Sequence, residues 1–270
     1  MTGRHHERGI ALIVVLWVIA ALALIAGAML AATMTSAKIE HNSWTQLEVR
    51  TAADTAVQGA ILSLFDPANS KPLDGREQSY AAGDVSISLS MQDQSGLVDV
   101  NYAGPGVLRT VFKTNGVDAE AAQALADRIL DWRSPAGTQH LNGVNRTDYR
   151  SAGYAYRPRN APFQSLDELR LVMGMTPEIY SRIAPALTVY SYRSDFDLRV
   201  APRQVLLVIP GMDQARADAT IAARTAELTK PGRAFAIVAT AQKGETRFSR
   251  RAIVLLTGDE SHPYKILDWE

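Results

Sequence analysis

The sequence predicts an α+β protein in which one long N-terminal helix packs on a small antiparallel sheet, with a helical domain inserted into the chain path of that sheet. Three observations carry this expectation. No charged side chain occurs between Gly9 and Ala37. Strict alternation over residues 84–91, with Val85, Ile87, Leu89 and Met91 on one side, marks a half-buried strand. The middle of the chain, from about Pro105 to Tyr190, has helical periodicity, and strand patterns return after Pro231.

The uncharged run sets the first element. A hydrocarbon core of about 30 Å needs roughly 20 apolar residues as a helix, and residues 10–32 supply them without a charge or a proline. Twelve Leu, Ile and Val residues between Ile10 and Leu30 favour insertion by roughly 5 kcal/mol. Arg4 and Arg8, opposed only by Glu7, hold the short tail in the cytoplasm by the positive-inside rule, so that residues after about Ala37 lie outside. Ala23, Gly27 and Ala31 have the small-xxx-small spacing that lets membrane helices approach closely, a spacing that filler alanines also produce.

Three readings of the run stay open on hydropathy alone. It is long for a cleaved secretory signal, although the alanines at 28–32 fit one; it suits a plain single-pass anchor; and its start has a further feature. Arg8-Gly9-Ile10-Ala11-Leu12-Ile13 resembles the prepilin class of signal, which is cut after the glycine while the apolar helix is kept. The fifth residue after such a cut is usually glutamate in that class and is Val14 here. A carboxylate at membrane depth is costly without a partner, and a subunit with no neighbour above it can dispense with one.

Beyond the run, the absence of proline from Ala37 to about Phe65 predicts that the helix continues, with Trp44, Leu47, Thr51, Asp54, Gln58 and Leu62 along one partly apolar face. The stretch Asp66-Pro67-Ala68-Asn69-Ser70-Lys71-Pro72 ends it. Ala122, Leu125, Ile129 and Leu130 give residues 119–132 an apolar face, and Ser165 with Glu168 forms a capping-box pattern ahead of two further helical runs. Residues 235–241 and 248–256 read as strands around a turn at Lys243-Gly244-Glu245.

Two stretches echo one another. Leu169-Arg170-Leu171-Val172-Met173-Gly174-Met175 and Leu206-Leu207-Val208-Ile209-Pro210-Gly211-Met212 each run from a helix end through a glycine to methionine, and Val98-Asp99-Val100 is matched by Phe196-Asp197-Leu198. Gly174 and Gly211 suit tight turns between short helices, as in helix-hairpin-helix (SAM-like) modules. Such turns can present amides to DNA phosphates, so a membrane-anchored DNA receptor is the alternative function. Neither turn is itself basic, although Arg170, Arg182 and Arg216 lie nearby.

Composition narrows the chemistry. Lysine plus arginine and aspartate plus glutamate number 28 each, so no overall field attracts polyanions, and the absence of cysteine excludes disulfides and thiolate chemistry. The sequence holds no G-x-S-x-G, H-E-x-x-H or phosphate-loop motif, and His5, His6, His41, His140 and His262 are scattered, so no catalytic site and no enzyme activity is expected. Asp131, Asp148, Asp195 and Asp197 are oxygen donors of the kind calcium takes, but they form no EF-hand loop.

Taken together, these residues resemble the K minor pseudopilin family of the bacterial type II secretion system, general secretion pathway protein K. The resemblance runs over essentially the whole chain. Besides Arg8 to Trp17, it rests on Asp131-Trp132-Arg133, on Asp148-Tyr149-Arg150-Ser151-Ala152-Gly153, and on Tyr156-Arg157-Pro158-Arg159-Asn160-Ala161-Pro162-Phe163. Leu166-Asp167-Glu168-Leu169-Arg170-Leu171-Val172, Met175-Thr176-Pro177 and the tail Pro263-Tyr264-Lys265-Ile266-Leu267-Asp268-Trp269 also carry it.

The resemblance implies a pseudopilin fold divided into a leader (1–9), a transmembrane helix (10–36), an exposed helix with the first strands (37–104), an inserted helical domain (105–190), and a second hairpin with the last strands (191–270). It implies cleavage after Gly9 and methylation of Ile10 by prepilin peptidase, and a single-pass inner-membrane protein with its bulk in the periplasm. The I and J minor pseudopilins and the major pseudopilin are the implied partners, with no nucleic acid, and the implied role is to start and cap a short pseudopilus. The family is also associated with calcium. Here Asp131-Trp132-Arg133 is followed by Ser134-Pro135-Ala136-Gly137-Thr138-Gln139-His140, which lacks the acidic residues such a site calls for, so no cofactor is assigned.

Overall fold

Helix α1 spans His6–Ser63 without a break, 58 residues that extend about 87 Å at 1.5 Å per residue. The computed structural model describes residues 6–66, 71–135, 138, 140–224 and 232–270, and within α1 it describes side chains for residues 12–29 and from 43 onward. Arg4, the proline-containing stop at 67–70, and Pro231 therefore lie outside the described residues. Leu12–Met29 has a mean hydropathy of 2.8 and none of it is buried in the protein, so α1 is long and apolar enough there to cross a membrane.

The second half of α1 is the spine of a five-stranded sheet. Strands β1 (Asp74–Ala82), β2 (Val85–Asp93), β5 (Ala234–Lys243), β6 (Thr246–Leu256) and β7 (Tyr264–Trp269) lie in the order β1-β2-β5-β6-β7, each antiparallel to its neighbour. The remaining two strands, β3 (Val98–Asp99) and β4 (Leu187–Thr188), pair in parallel as a separate small sheet. Alternation places Val85, Ile87, Leu89 and Met91 of β2 under the helix, beside Phe235, Ile237, Ala239 and Ala241 of β5.

Against these strands α1 buries Val49, Ala53, Ala56, Val57, Ala60 and Ile61, with Leu64 just past its end. Those positions repeat at i, i+4, i+7 and i+8, the spacing of a core-facing helical stripe. This corrects the expected face: Trp44, Leu47 and Leu62 are exposed. Alanine contributes little to a hydropathy pattern, yet its small side chain lets the helix sit close to a sheet face that is itself rich in alanine.

Between β2 and β5 the chain builds a helical body from α2 (Pro105–Thr114), α3 (Ala119–Arg133), α4 (Arg146–Ser151), α5 (Pro177–Ile183), α6 (Arg203–Leu206) and α7 (Gln214–Ala222). One buried cluster, from Leu97 to Ala217, fills this body and takes in residues on both sides of position 190. Tyr149 is at its centre, against Trp132, Tyr154 and Tyr156, while Phe163 stacks on Trp132. Its hydroxyl donates to the Leu171 carbonyl at 3.3 Å and accepts from the Met173 amide at 2.8 Å, and burial pushes the phenol up to about 12.

Ser165 makes no side-chain cap, so the expected capping box there does not form. Residues Leu166–Leu171 are a 3-10 helix, and Glu168 instead accepts from Arg159 at 2.8 Å and from the Gln164 amide at 3.1 Å. A capping box does form at α4, where Asn145 and Asp148 exchange bonds with each other's amides.

The body is tied to the sheet where the chain leaves and re-enters it. Arg233 donates to Asp93 Oδ2 at 2.7 Å and to Asp197 Oδ2 at 3.0 Å, joining the end of β2, the residue before β5 and the segment leading to α6. Asp93 Oδ1 accepts from the Ser95 amide at 2.8 Å, and the Asp197 amide donates to the Ser95 carbonyl at 2.8 Å. Gly96 lies so close to the Val200 carbonyl that a Cβ would collide with it. A second arginine, Arg224, bonds Asp74 Oδ2 at 3.0 Å and the Leu198 and Ala201 carbonyls at 2.7 and 2.6 Å. Burial raises the Asp197 carboxyl, but its bonds to Arg199 and the nearby Arg233 charge outweigh that and hold it at about 2.

Candidate assembly surface

Gly9 and Ile10 lie within α1, and Val14 is 55% exposed inside the apolar span. Beyond the span the exposed side of α1 stays apolar at Trp44 and Leu47, 64% and 54% exposed. With Thr51 of α1, Tyr80 of β1 and Val85 and Ile87 of β2, they line an open groove of about 580 Å³ at the end of the sheet nearer the span. Lys243 marks one rim, bonded to Glu48 and Asp84 at 2.7 Å each, and those two carboxylates hold its ammonium above the usual lysine range.

The two glycine turns are built for internal packing. Gly174 and Gly211 have φ of +86° and +77°, which a side chain would strain. One amide is bonded inside each turn: Met175 donates to the Val172 carbonyl at 2.9 Å, and Met212 to the Ile209 carbonyl at 3.0 Å. The adjacent arginines, of which Arg170, Arg182 and Arg216 are exposed, make contacts within the protein. Arg128 donates to the Met173 carbonyl at 2.9 Å, Arg216 to the Gly211 carbonyl at 2.7 Å, and Arg182 to the Asn115 carbonyl at 3.1 Å, while Arg170 lies 4.1 Å from the Tyr180 ring centre. Gly116, at φ +79°, makes a similar turn after α2, one not singled out in the sequence although Asn115-Gly116 is a turn-forming pair.

The four aspartates with calcium-type chemistry are dispersed. Asp148 caps α4, Asp195 pairs with Arg193, Asp197 pairs with Arg199 and Arg233, and Asp131 faces His140. Among the described residues, no group of three His, Cys, Asp or Glu is arranged to hold a metal ion. Asp131 and its neighbour Asp127 do not suit calcium, which takes six to eight oxygens: their oxygens face nitrogen donors, and Gly143 fills the space before the remaining one.

These features define a class: an α+β protein whose apolar N-terminal helix continues as the spine of an antiparallel sheet that carries a large helical insertion. Residues 87–192 match the family model for type II secretion system (T2SS), protein K. Type II secretion system protein K of Pseudomonas aeruginosa is 24% identical over 254 residues, covering 83% of this chain and 74% of that protein. The protein K of Pectobacterium carotovorum is 24% identical over 206 residues, and the matched segment spans only 62% of it. A chain in the crystal structure of the GspK-GspI-GspJ complex from the enterotoxigenic Escherichia coli type 2 secretion system has the same fold, with a TM-score of 0.60 at 12% identity, over 87% of this chain and 98% of that one. The chain is therefore similar to type II secretion system protein K, in sequence over residues 87–192 and in fold over most of its length.

Proposed function

We propose that the chain is a minor pseudopilin that starts and caps a type II secretion pseudopilus with the I and J minor pseudopilins, supporting protein export across the outer membrane. It works by contact and not by catalysis. The observation that carries this reading is the apolar side of α1 left open beyond the membrane-length segment, Trp44, Leu47 and the groove beside them, on the same helix as the span Leu12–Met29, none of which is buried in the protein. The match of residues 87–192 to the protein K family model supports it, as does the GspI and GspJ company of the similarly folded E. coli chain.

In this reading residues 1–9 are a cytoplasmic leader removed after Gly9 by prepilin peptidase, Ile10 is methylated, and residues 10–36 span the inner membrane with the bulk of the chain in the periplasm. Val14 in place of glutamate suits a subunit with no neighbour above it. Residues 37–104 and the last strands form the pseudopilin part, 105–190 are an inserted domain, and Gly174 and Gly211 are the turns of helix-hairpin-helix modules used for packing. The helical body, too wide to stack within a filament, sits at the tip, above the major pseudopilin.

Co-purification of the full chain with the I and J pseudopilins of its host tests this. Trp44→Asp is expected to lower recovery of the complex at least tenfold without changing the melting point of the chain alone, since Trp44 is exposed. Recovery no better than with unrelated periplasmic proteins contradicts the proposal.

A further inference from the structure

Asp127 and Asp131 stand one turn apart on α3, 4% and 3% exposed. Two buried carboxylates so close repel each other and each carries a desolvation penalty, a combination that commonly recruits a cation. In this chain His140 and Asn142, beyond the end of α3, supply protein donors instead. Asp131 Oδ1 accepts from the His140 amide at 3.0 Å and from His140 Nδ1 at 2.6 Å. Asp127 Oδ2 accepts from the Asn142 amide at 3.2 Å and from Asn142 Nδ2 at 2.9 Å, and its Oδ1 accepts from Gln123 at 3.0 Å.

Of these four oxygens, Asp131 Oδ2 alone has no hydrogen bond among the described residues, and the Gly143 backbone covers it so closely that a Cβ there would overlap the oxygen. Asn160, at φ +55°, donates to the Asp131 and Ser134 carbonyls at 3.3 and 3.2 Å and secures the end of α3 from the other side.

We infer that His140 and Asn142 form a metal-independent clasp, which holds the loop after α3 on its two buried carboxylates and lets the helical body fold without a divalent cation. His140 is the principal latch, because its amide and its ring both bond one oxygen, and in its neutral Nδ1–H or its protonated form the ring donates to Asp131. Gly143 is the second requirement, since only a residue without a side chain fits against Asp131 Oδ2. The clasp does not rest on the assembly role proposed above.

The test is thermal unfolding of the full chain in detergent, followed by circular dichroism, with excess EDTA and with millimolar calcium chloride. The wild-type midpoints should agree within about 1 °C, because a ligand that does not bind the native state does not shift it. His140→Ala should lower the midpoint by about 5–10 °C in both conditions, and His140→Asn, which restores a side-chain donor, should recover part of that loss. A calcium-dependent rise of several degrees in the wild type, or a His140→Ala midpoint equal to that of the wild type, overturns the inference. If His140→Ala does not fold, the wild-type comparison and His140→Asn still decide it.

Discussion

Replacing Arg233 with methionine removes the one cation that bonds both Asp93 and Asp197 while keeping most of the aliphatic stem. The side chains of Asp93 and Asp197 are 1% and 12% exposed, and that of Arg233 is 18% exposed. Removing one partner of a fully buried pair costs about 3–5 kcal/mol. Two contacts soften the loss here: Asp93 keeps the Ser95 amide, and Asp197 keeps Arg199. The expected cost is therefore about 2–3 kcal/mol, which for a domain of this size is a fall of roughly 4–12 °C in melting temperature. Circular dichroism of the full chain in detergent measures it. Asp93→Asn alone and the Arg233→Met/Asp93→Asn double variant complete a cycle, with an expected coupling of about 1–3 kcal/mol. A shift below about 2 °C, or losses that simply add, refutes the claim that this pair anchors the helical body to the sheet.

Three further outcomes follow from the same contacts. Ala53→Leu, at a position with no exposure where α1 meets the sheet, should destabilise by about 1–3 kcal/mol through overpacking, seen as a lower denaturant midpoint with an unchanged slope. Asp197 is held at about 2 against an ordinary 3.8, so its stabilisation is complete above pH 3.8 and disappears as pH falls through 2; stability should drop by about 1–2 kcal/mol over that window after solvent screening, and Asp197→Asn should flatten it. Tyr149, pushed up to about 12 from an ordinary 10.0, should stay un-ionised in the folded chain at pH 10, and Tyr149→Phe should cost about 1–2 kcal/mol, since the Met173 amide loses its acceptor.

How far the fold could be read in the sequence depended on where each residue's hydrophobicity is used. Strands β2, β5 and β6 declare themselves because one face of each is buried beneath α1. β1 does not, since nearly every residue of Asp74–Ala82 is exposed and the strand is set by pairing with β2. β7 is likewise an exposed edge of six residues. On α1, tryptophan and leucine drew the eye to the outward face, while alanines made the contact with the sheet.

The contacts that join distant parts were the least legible. Asp93 and Arg233 are 140 residues apart, and neither was singled out in the sequence. Asp131 stood out as a carboxylate and His140 as an isolated histidine, but nothing in their spacing marked the bond between them. The groove at Trp44 could not be read in the sequence, because it depends on β1 and β2 lying beside α1.

Central to this account is that the apolar helix is retained after processing and serves as an assembly element. The mass of the N-terminal peptide, taken from cells with and without prepilin peptidase, tests it most directly. A peptide beginning at methylated Ile10, replaced by the uncut chain when the enzyme is missing, is the predicted result. A peptide beginning near Thr33, or an uncut chain in both strains, contradicts it.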